Sequence, residues 1–269
     1  MSSNMNIFKV IIIVSVACLA VACGGAEERK AAYMEKAENS LNAGDLDKAR
    51  IELKNVLQID PKDAPAWFKL GNIFERKKEF RKAFGNYNKA AELDPENSEY
   101  QAKIGRFYLV LAGDIETATE MMELILSKDK NDVNGLILKA GILLKQGKAG
   151  EAKELTRNIF EDNPGNVDNA TFLASLYSQD KQYTDAIAVL DKSIQLNPGN
   201  QALLKTLANT LFINKEYARS EQLWKEILNA HPEVFQNHLT LTLFDQKTGE
   251  SAKAEDVLRA AITADEEDT

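Results

Sequence analysis

The sequence predicts an all-α solenoid of about seven helix-turn-helix units, and three observations carry that prediction. Prolines recur at a fixed interval: Pro61 and Pro95 are 34 residues apart, as are Pro164 and Pro198, and Pro198 and Pro232. Small residues stand at fixed offsets before each of these marks, and a polar residue able to cap a helix follows most of them two positions later. A period of this size marks stacked units, each too small to bury its apolar face alone.

The prolines separate one unit from the next. The residue before a proline is pushed out of the helical region, so Asp60, Asp94, Asn163, Asn197 and His231 each end a helix. Asp63, Asn97, Asp132, Asn166 and Asn200 then accept hydrogen bonds from the free amides of the next helix. Val234 stands at that position in the last unit, so its helix is expected to begin less sharply. Between Pro95 and Pro164 lie 69 residues, two units of which one has lost its proline, with Lys130 in its place, and gained a residue.

Within each unit a second turn separates the two helices. Gly44, Gly113, Gly147 and Gly249 suit the left-handed position that closes a helix, and a polar residue then opens the next. Ala49, Ala83, Ala118, Ala152, Ala186 and Ser220 on the second helices match Ala37, Gly71, Gly105, Ala140, Ala174 and Ala208 on the first. Small residues at both places let the helices approach closely. Leu53, Tyr87, Met122, Leu190 and Trp224 fill the space between repeats, with Thr156 the weak member of that series.

A 34-residue unit carrying Trp67, Leu70, Gly71, Phe74, Ala83, Tyr87, Ala90 and Pro95 resembles the tetratricopeptide repeat. Units starting near Lys30, Ala64, Ser98, Val133, Val167, Gln201 and Phe235 cover residues 30–266, leaving 267–269 as an acidic tail. The resemblance implies a right-handed superhelix of antiparallel helix pairs, with a concave groove lined by the first helix of each unit.

Residues 1–22 have a different composition. Lys9 precedes the apolar run "VIIIVSVACLAVA", too short to span a bilayer and suited to the core of an export signal. "LAVACGG" resembles the lipobox of bacterial lipoproteins, which implies acylation at Cys23, a lipidated tether over 23–29, and a membrane partner held through that lipid. Gly24, not being Asp, implies an outer-membrane location facing the periplasm. Cys18 falls within the signal, so the mature body would carry no free thiol and no disulfide.

Chemistry for an enzyme is not evident. The chain of 269 residues has a formal net charge of -8, which argues against nucleic acid as a partner, since phosphate binding needs a basic face. No phosphate-cradling loop or nucleophile elbow is present. His231 sits at a helix stop, and His238 at the position of Trp67; no further ligand is spaced to make a metal site with them. No catalytic residue, cofactor or metal is expected. Glu120 and Glu123 read as a solvated face, and Met121 and Met122 as core.

The expected working surface is the groove, and its partner a protein or peptide. Repeat geometry assigns to it Phe68, Asn72 and Arg76, then Arg106 and Leu109, then Ile137 and Leu144, then Ser175 and Gln179, and last Lys205, Asn209 and Phe212. Apolar side chains among these would be exposed to no purpose without a guest. Lys205 and Asn209 resemble half of a carboxylate clamp, but Thr240 stands where the other half needs an amide. The last helix still offers Val257, Leu258 and Ile262 with no polar cap after it, an expected surface for self-association.

The lipobox followed by "YMEKAENSLNAGDLDKARIELKNVLQIDPKDAPAWFKLG" is similar to the N-terminal region of the PEP-CTERM system tetratricopeptide lipoproteins. That resemblance implies a non-enzymatic adaptor in the cell envelope, for protein sorting or exopolysaccharide export. A pilotin-like assembly factor for a secretin, and a periplasmic enzyme, remain the alternatives.

Overall fold

The computed structural model describes residues 25–232, 234–249 and 255–257. The export signal, the Cys23 attachment site and the acidic tail lie outside them, as does most of the last expected helix, including Leu258 and Ile262. Among the described residues the regular structure is helical, without a strand. The helices are α1 (25–43), α2 (Leu46–Ile59), α3 (Ala64–Arg76), α4 (Phe80–Leu93), α5 (Ser98–Phe107) and α6 (Ile115–Lys128). They continue as α7 (Val133–Lys145), α8 (Ala149–Asp162), α9 (Val167–Gln179), α10 (Tyr183–Leu196), α11 (Gln201–Ile213), α12 (Tyr217–Ala230) and α13 (Phe235–Thr248).

Contacts divide the chain into two compact units. One runs to Asp94 and leaves out Asn42–Asp45, which group with the other unit, beginning at Pro95. In the first, Ala37, Leu53, Val56, Leu70 and Ile73 form a core against which Trp67 and Phe74 pack. In the second, consecutive helices from α5 to α13 pack in pairs, and α7 also meets α5, as α11 meets α9. This is the layering of a repeat array, in which each unit buries its faces against its neighbours.

Helix starts follow the cap residues. Asp63 accepts from the Ala66 amide at 2.9 Å, Asp132 from Gly135 at 2.9 Å, and Asn166 from Asn169 at 2.8 Å. Asn97 and Asn200 each accept from two amides of the next turn. Val234 offers no such bond to α13. At the other ends, Asp94, Asn163, Asn197 and His231 are the closing residues of α4, α8, α10 and α12.

A further bond ties first helices to the proline turn before them. Trp67 Nε1 donates to the Pro61 carbonyl at 2.9 Å, and Gln101 Nε2 to that of Pro95 at 3.3 Å. His238 Nε2 lies 2.7 Å from the Pro232 carbonyl. A carbonyl oxygen only accepts, so an Nε2–H of His238 is the donor here, in the place of the Trp67 indole.

Small residues serve the close approach they suggested. Ala49, Ala83, Ala118, Ala152, Ala186 and Ser220 are all fully buried. Ser220 Oγ donates to the Ala208 carbonyl at 2.8 Å, across the helix pair. Thr156 is also fully buried, its hydroxyl satisfied by the Ala152 carbonyl at 2.9 Å. Its own carbonyl accepts from Asn169 Nδ2 at 2.9 Å, so the weak member of the filling series is held by hydrogen bonds.

Two features add to what the spacing specifies. Residues 25–29, within the stretch expected as a tether, are helical, with Glu27 and Lys30 paired at 3.1 Å on one face of α1. The surplus residue of the 35-residue unit is taken up as a π-helical turn, Tyr108–Ala112, closed by Gly113 at φ 69°. Gly105 keeps the register before this turn and Ala118 resumes it afterwards. A wider helical turn absorbs one inserted residue without breaking the packing on either side.

Candidate functional site

The π-helical turn, α7 and α9 enclose an open cavity of about 560 Å³, within the size range of ligand sites. All three are first-helix elements, so the cavity runs across three consecutive repeats of the second unit. Leu109 and Ile137 form its buried floor. Val110, 61% exposed, and the half-buried Leu144 and Phe172 are its walls. Gly141 opens one side: a β-carbon there would stand 3.2 Å from Leu109 Cδ2.

Polar groups are confined to the rim. Arg106 Nη2 donates to Asp168 Oδ2 at 3.1 Å, joining α5 to α9 across 62 positions of sequence. Both side chains remain partly in water, so the pair contributes at most about 1 kcal/mol and opens readily. Lys145, exposed in the last turn of α7, makes no ion pair among the described residues. The floor is therefore apolar and the rim carries two cations against one carboxylate.

Of the groove residues expected from sequence, the structure brings Arg106, Leu109, Ile137 and Leu144 together here. The others lie elsewhere. Phe68 is buried, its ring 5.4 Å from that of Tyr87, so it belongs to the core of its repeat. Asn72 Oδ1 receives the Tyr87 hydroxyl at 2.8 Å, and Arg76 is exposed in the last turn of α3. Ser175 bonds back to the Phe172 carbonyl at 2.7 Å, and Gln179 ends α9 in solvent. Lys205 is half-buried and Asn209 exposed, neither lining the cavity. Phe212 is half-buried, its ring 5.4 Å from those of Tyr217 and Phe244. The expectation that Phe68 faces a guest is corrected: its buried ring is spent on packing against Tyr87, because side-chain direction as well as spacing decides what a helical residue meets.

Sequence reasoning missed Val110, Gly141, Lys145, Asp168, Thr171 and Phe172, which also line the cavity. A signal for Gly141 was present: a second small residue directly after Ala140, in a helix where glycine costs about 1 kcal/mol against alanine.

Paired helices with an apolar cavity across their first members define a tetratricopeptide repeat scaffold. The chain belongs to the family described as the cytochrome c-type biogenesis protein H TPR domain, whose model matches residues 25–159, about half its length. A tetratricopeptide repeat model matches residues 143–192 and 177–240. Among individual proteins, BBSome complex member BBS4 from Bos taurus is 25% identical over 225 residues, 81% of this chain and 42% of that protein. Type IV pilus assembly protein PilF from Pseudomonas aeruginosa is 24% identical over 163 residues, 60% of this chain and 65% of that protein. The chain thus spans about two fifths of the first relative and 65% of the second. The crystal structure of TTC0263, a thermophilic TPR protein in Thermus thermophilus, shares the fold: TM-score 0.54 at 14% identity, covering 67% of this chain and 98% of that one.

Proposed function

We propose that this protein is a lipid-anchored scaffold of the bacterial envelope that holds a segment of a partner protein in the cavity of Arg106, Leu109, Ile137 and Leu144. One observation carries the reading: three consecutive first helices leave an apolar, open cavity uncovered in an otherwise packed repeat array. In this reading the cavity binds and positions its guest. The lipobox at Cys23 supplies the anchor, with the outer membrane facing the periplasm as the location. The similarity to sorting-system lipoproteins supports service to protein sorting or exopolysaccharide export.

A second reading, assembly of a pilus secretin, is favoured by the similarity to PilF. A photo-crosslinking amino acid at Val110, in the full chain expressed in its own envelope, distinguishes them by mass spectrometry of the adduct. A sorting or polysaccharide-export component supports the first reading and a secretin the second, while a cytochrome c maturation component points to the role the family is named for. In parallel, Cys23→Ser should abolish acyl labelling and release the protein from membranes; retention would sink the lipid anchor.

A further inference from the structure

We propose that the segment held in this cavity is acidic as well as apolar: a bulky hydrophobic side chain fills the floor while a neighbouring carboxylate meets Lys145 and Arg106. The inference rests on the docking reading above and adds the chemistry of the guest.

The argument is one of local against global charge. The chain is acidic, with a formal net charge of -8. A guest chosen by the whole-molecule field would be basic. The rim runs the other way, with Arg106 and Lys145 set above Leu109, Ile137 and Phe172. Its one carboxylate, Asp168, already shares Arg106, at 3.1 Å. That exposed pair is weak enough to exchange partners, and a guest carboxylate arriving beside it gains a cation that the protein supplies without new ordering. Lys145 has no carboxylate of its own among the described residues, so it too is available to the guest. Charge-assisted contacts of this kind set register and orientation, while the apolar floor supplies most of the affinity.

The π-helical turn makes the arrangement possible. It carries Leu109 and Val110 to the cavity directly after Arg106, so cation and apolar surface are adjacent within five residues of chain. A matching guest therefore needs its carboxylate within about one helical turn of its apolar anchor.

The test uses two fluorescein-labelled peptides of equal length and with the same Leu-Leu-Phe centre, one flanked by Asp and Glu and the other by Lys, titrated into the full chain and followed by anisotropy. The acidic peptide should bind about tenfold more tightly, against the net charge of the protein, and Lys145→Glu should remove that preference. Gly141→Leu should abolish binding of both peptides. Because that leucine meets Leu109, the neutral Val110→Gln on the exposed lip is the companion variant, with thermal melts to confirm folding. Equal binding of both peptides, lost in Gly141→Leu and Val110→Gln, overturns the acidic inference and leaves the docking reading standing. An acidic preference that survives both Lys145→Glu and Arg106→Ala also overturns it. Binding indifferent to Gly141→Leu and Val110→Gln overturns the docking reading itself.

Discussion

The ring of Tyr87 lies against the α-carbon of Gly71, so closely that a β-carbon there would stand 2.4 Å from the ring's Cε1 and 2.5 Å from its Cδ1. The glycine and the tyrosine are each other's reason for being where they are. Tyr87 is fully buried, and its hydroxyl reaches Asn72 Oδ1 at 2.8 Å and Glu75 Oε2 at 2.7 Å. Alanine is the better helix former, yet Gly71→Ala should destabilise the first unit by about 1–3 kcal/mol, because the ring cannot move without losing those bonds. Urea unfolding followed by circular dichroism measures this, and an unchanged midpoint would refute the close fit.

Three lysines occupy positions that glycine fills in the other repeats. Lys78, Lys181 and Lys215 have φ of 61°, 61° and 66°, in the same register as Gly44, Gly113, Gly147 and Gly249. The local bonding is also the same: Glu79 N meets the Phe74 carbonyl at 2.8 Å, as Lys148 N meets that of Leu143 at 2.9 Å. Lys→Gly at each site should stabilise by about 0.5–1 kcal/mol, after deducting glycine's larger unfolded-state entropy. Gly147→Lys should lose a similar amount, as read from paired denaturation curves.

Deleting Leu111 should convert the π-helical turn to ordinary helix and restore a 34-residue unit. Far-UV circular dichroism should stay close to wild type, since α5 and α6 keep their partners. Peptide binding at the cavity should disappear, because Leu109 and Val110 would rotate away from Ile137 and Leu144. A deletion variant that binds as before would show that the inserted residue has no part in the site.

Acid should weaken the start of α6. Asp114 accepts from the Thr117 amide at 3.0 Å and from its hydroxyl at 2.7 Å, and these bonds hold its carboxyl below the usual range. A carboxyl lowered on folding adds stability that is fully present above about pH 4 and is lost as pH falls through its folded value. Asp60, held down by Lys30 and the Lys62 amide, and Asp47, held down chiefly by Lys77, add to the same acid limb. Asp114→Asn keeps a capping oxygen but no titration, so its stability should fall less between pH 5 and pH 3 than that of the wild type, as urea midpoints at each pH would show.

Much of this architecture was legible because its signals are local. A cap residue and the amide it serves lie within three positions, so Asp63, Asn97, Asp132, Asn166 and Asn200 announce their helices. The left-handed lysines were hidden by their residue type, although they stand in register with the glycines. The site was half legible. Arg106, Leu109, Ile137 and Leu144 follow from repeat geometry, but the partnership of Arg106 with Asp168 spans two repeats. The π-helical turn beside it lies where a residue count brackets the inserted residue, between Gly105 and Ala118, without locating it. Phe68 shows the opposite failure, since spacing alone put outward a ring that packs, buried, against Tyr87.

The chain has two tryptophans, and they fall in different compact units. Trp67 packs partly buried in the first, its indole bonded to a backbone carbonyl, while Trp224 is 4% exposed within the apolar cluster of α12 and α13. Each unit thus has its own optical reporter, one partly exposed and one buried. Trp67→Phe and Trp224→Phe variants would let fluorescence follow the unfolding of one unit at a time and show whether a ligand seated at the π-helical turn stabilises only the repeats that touch it.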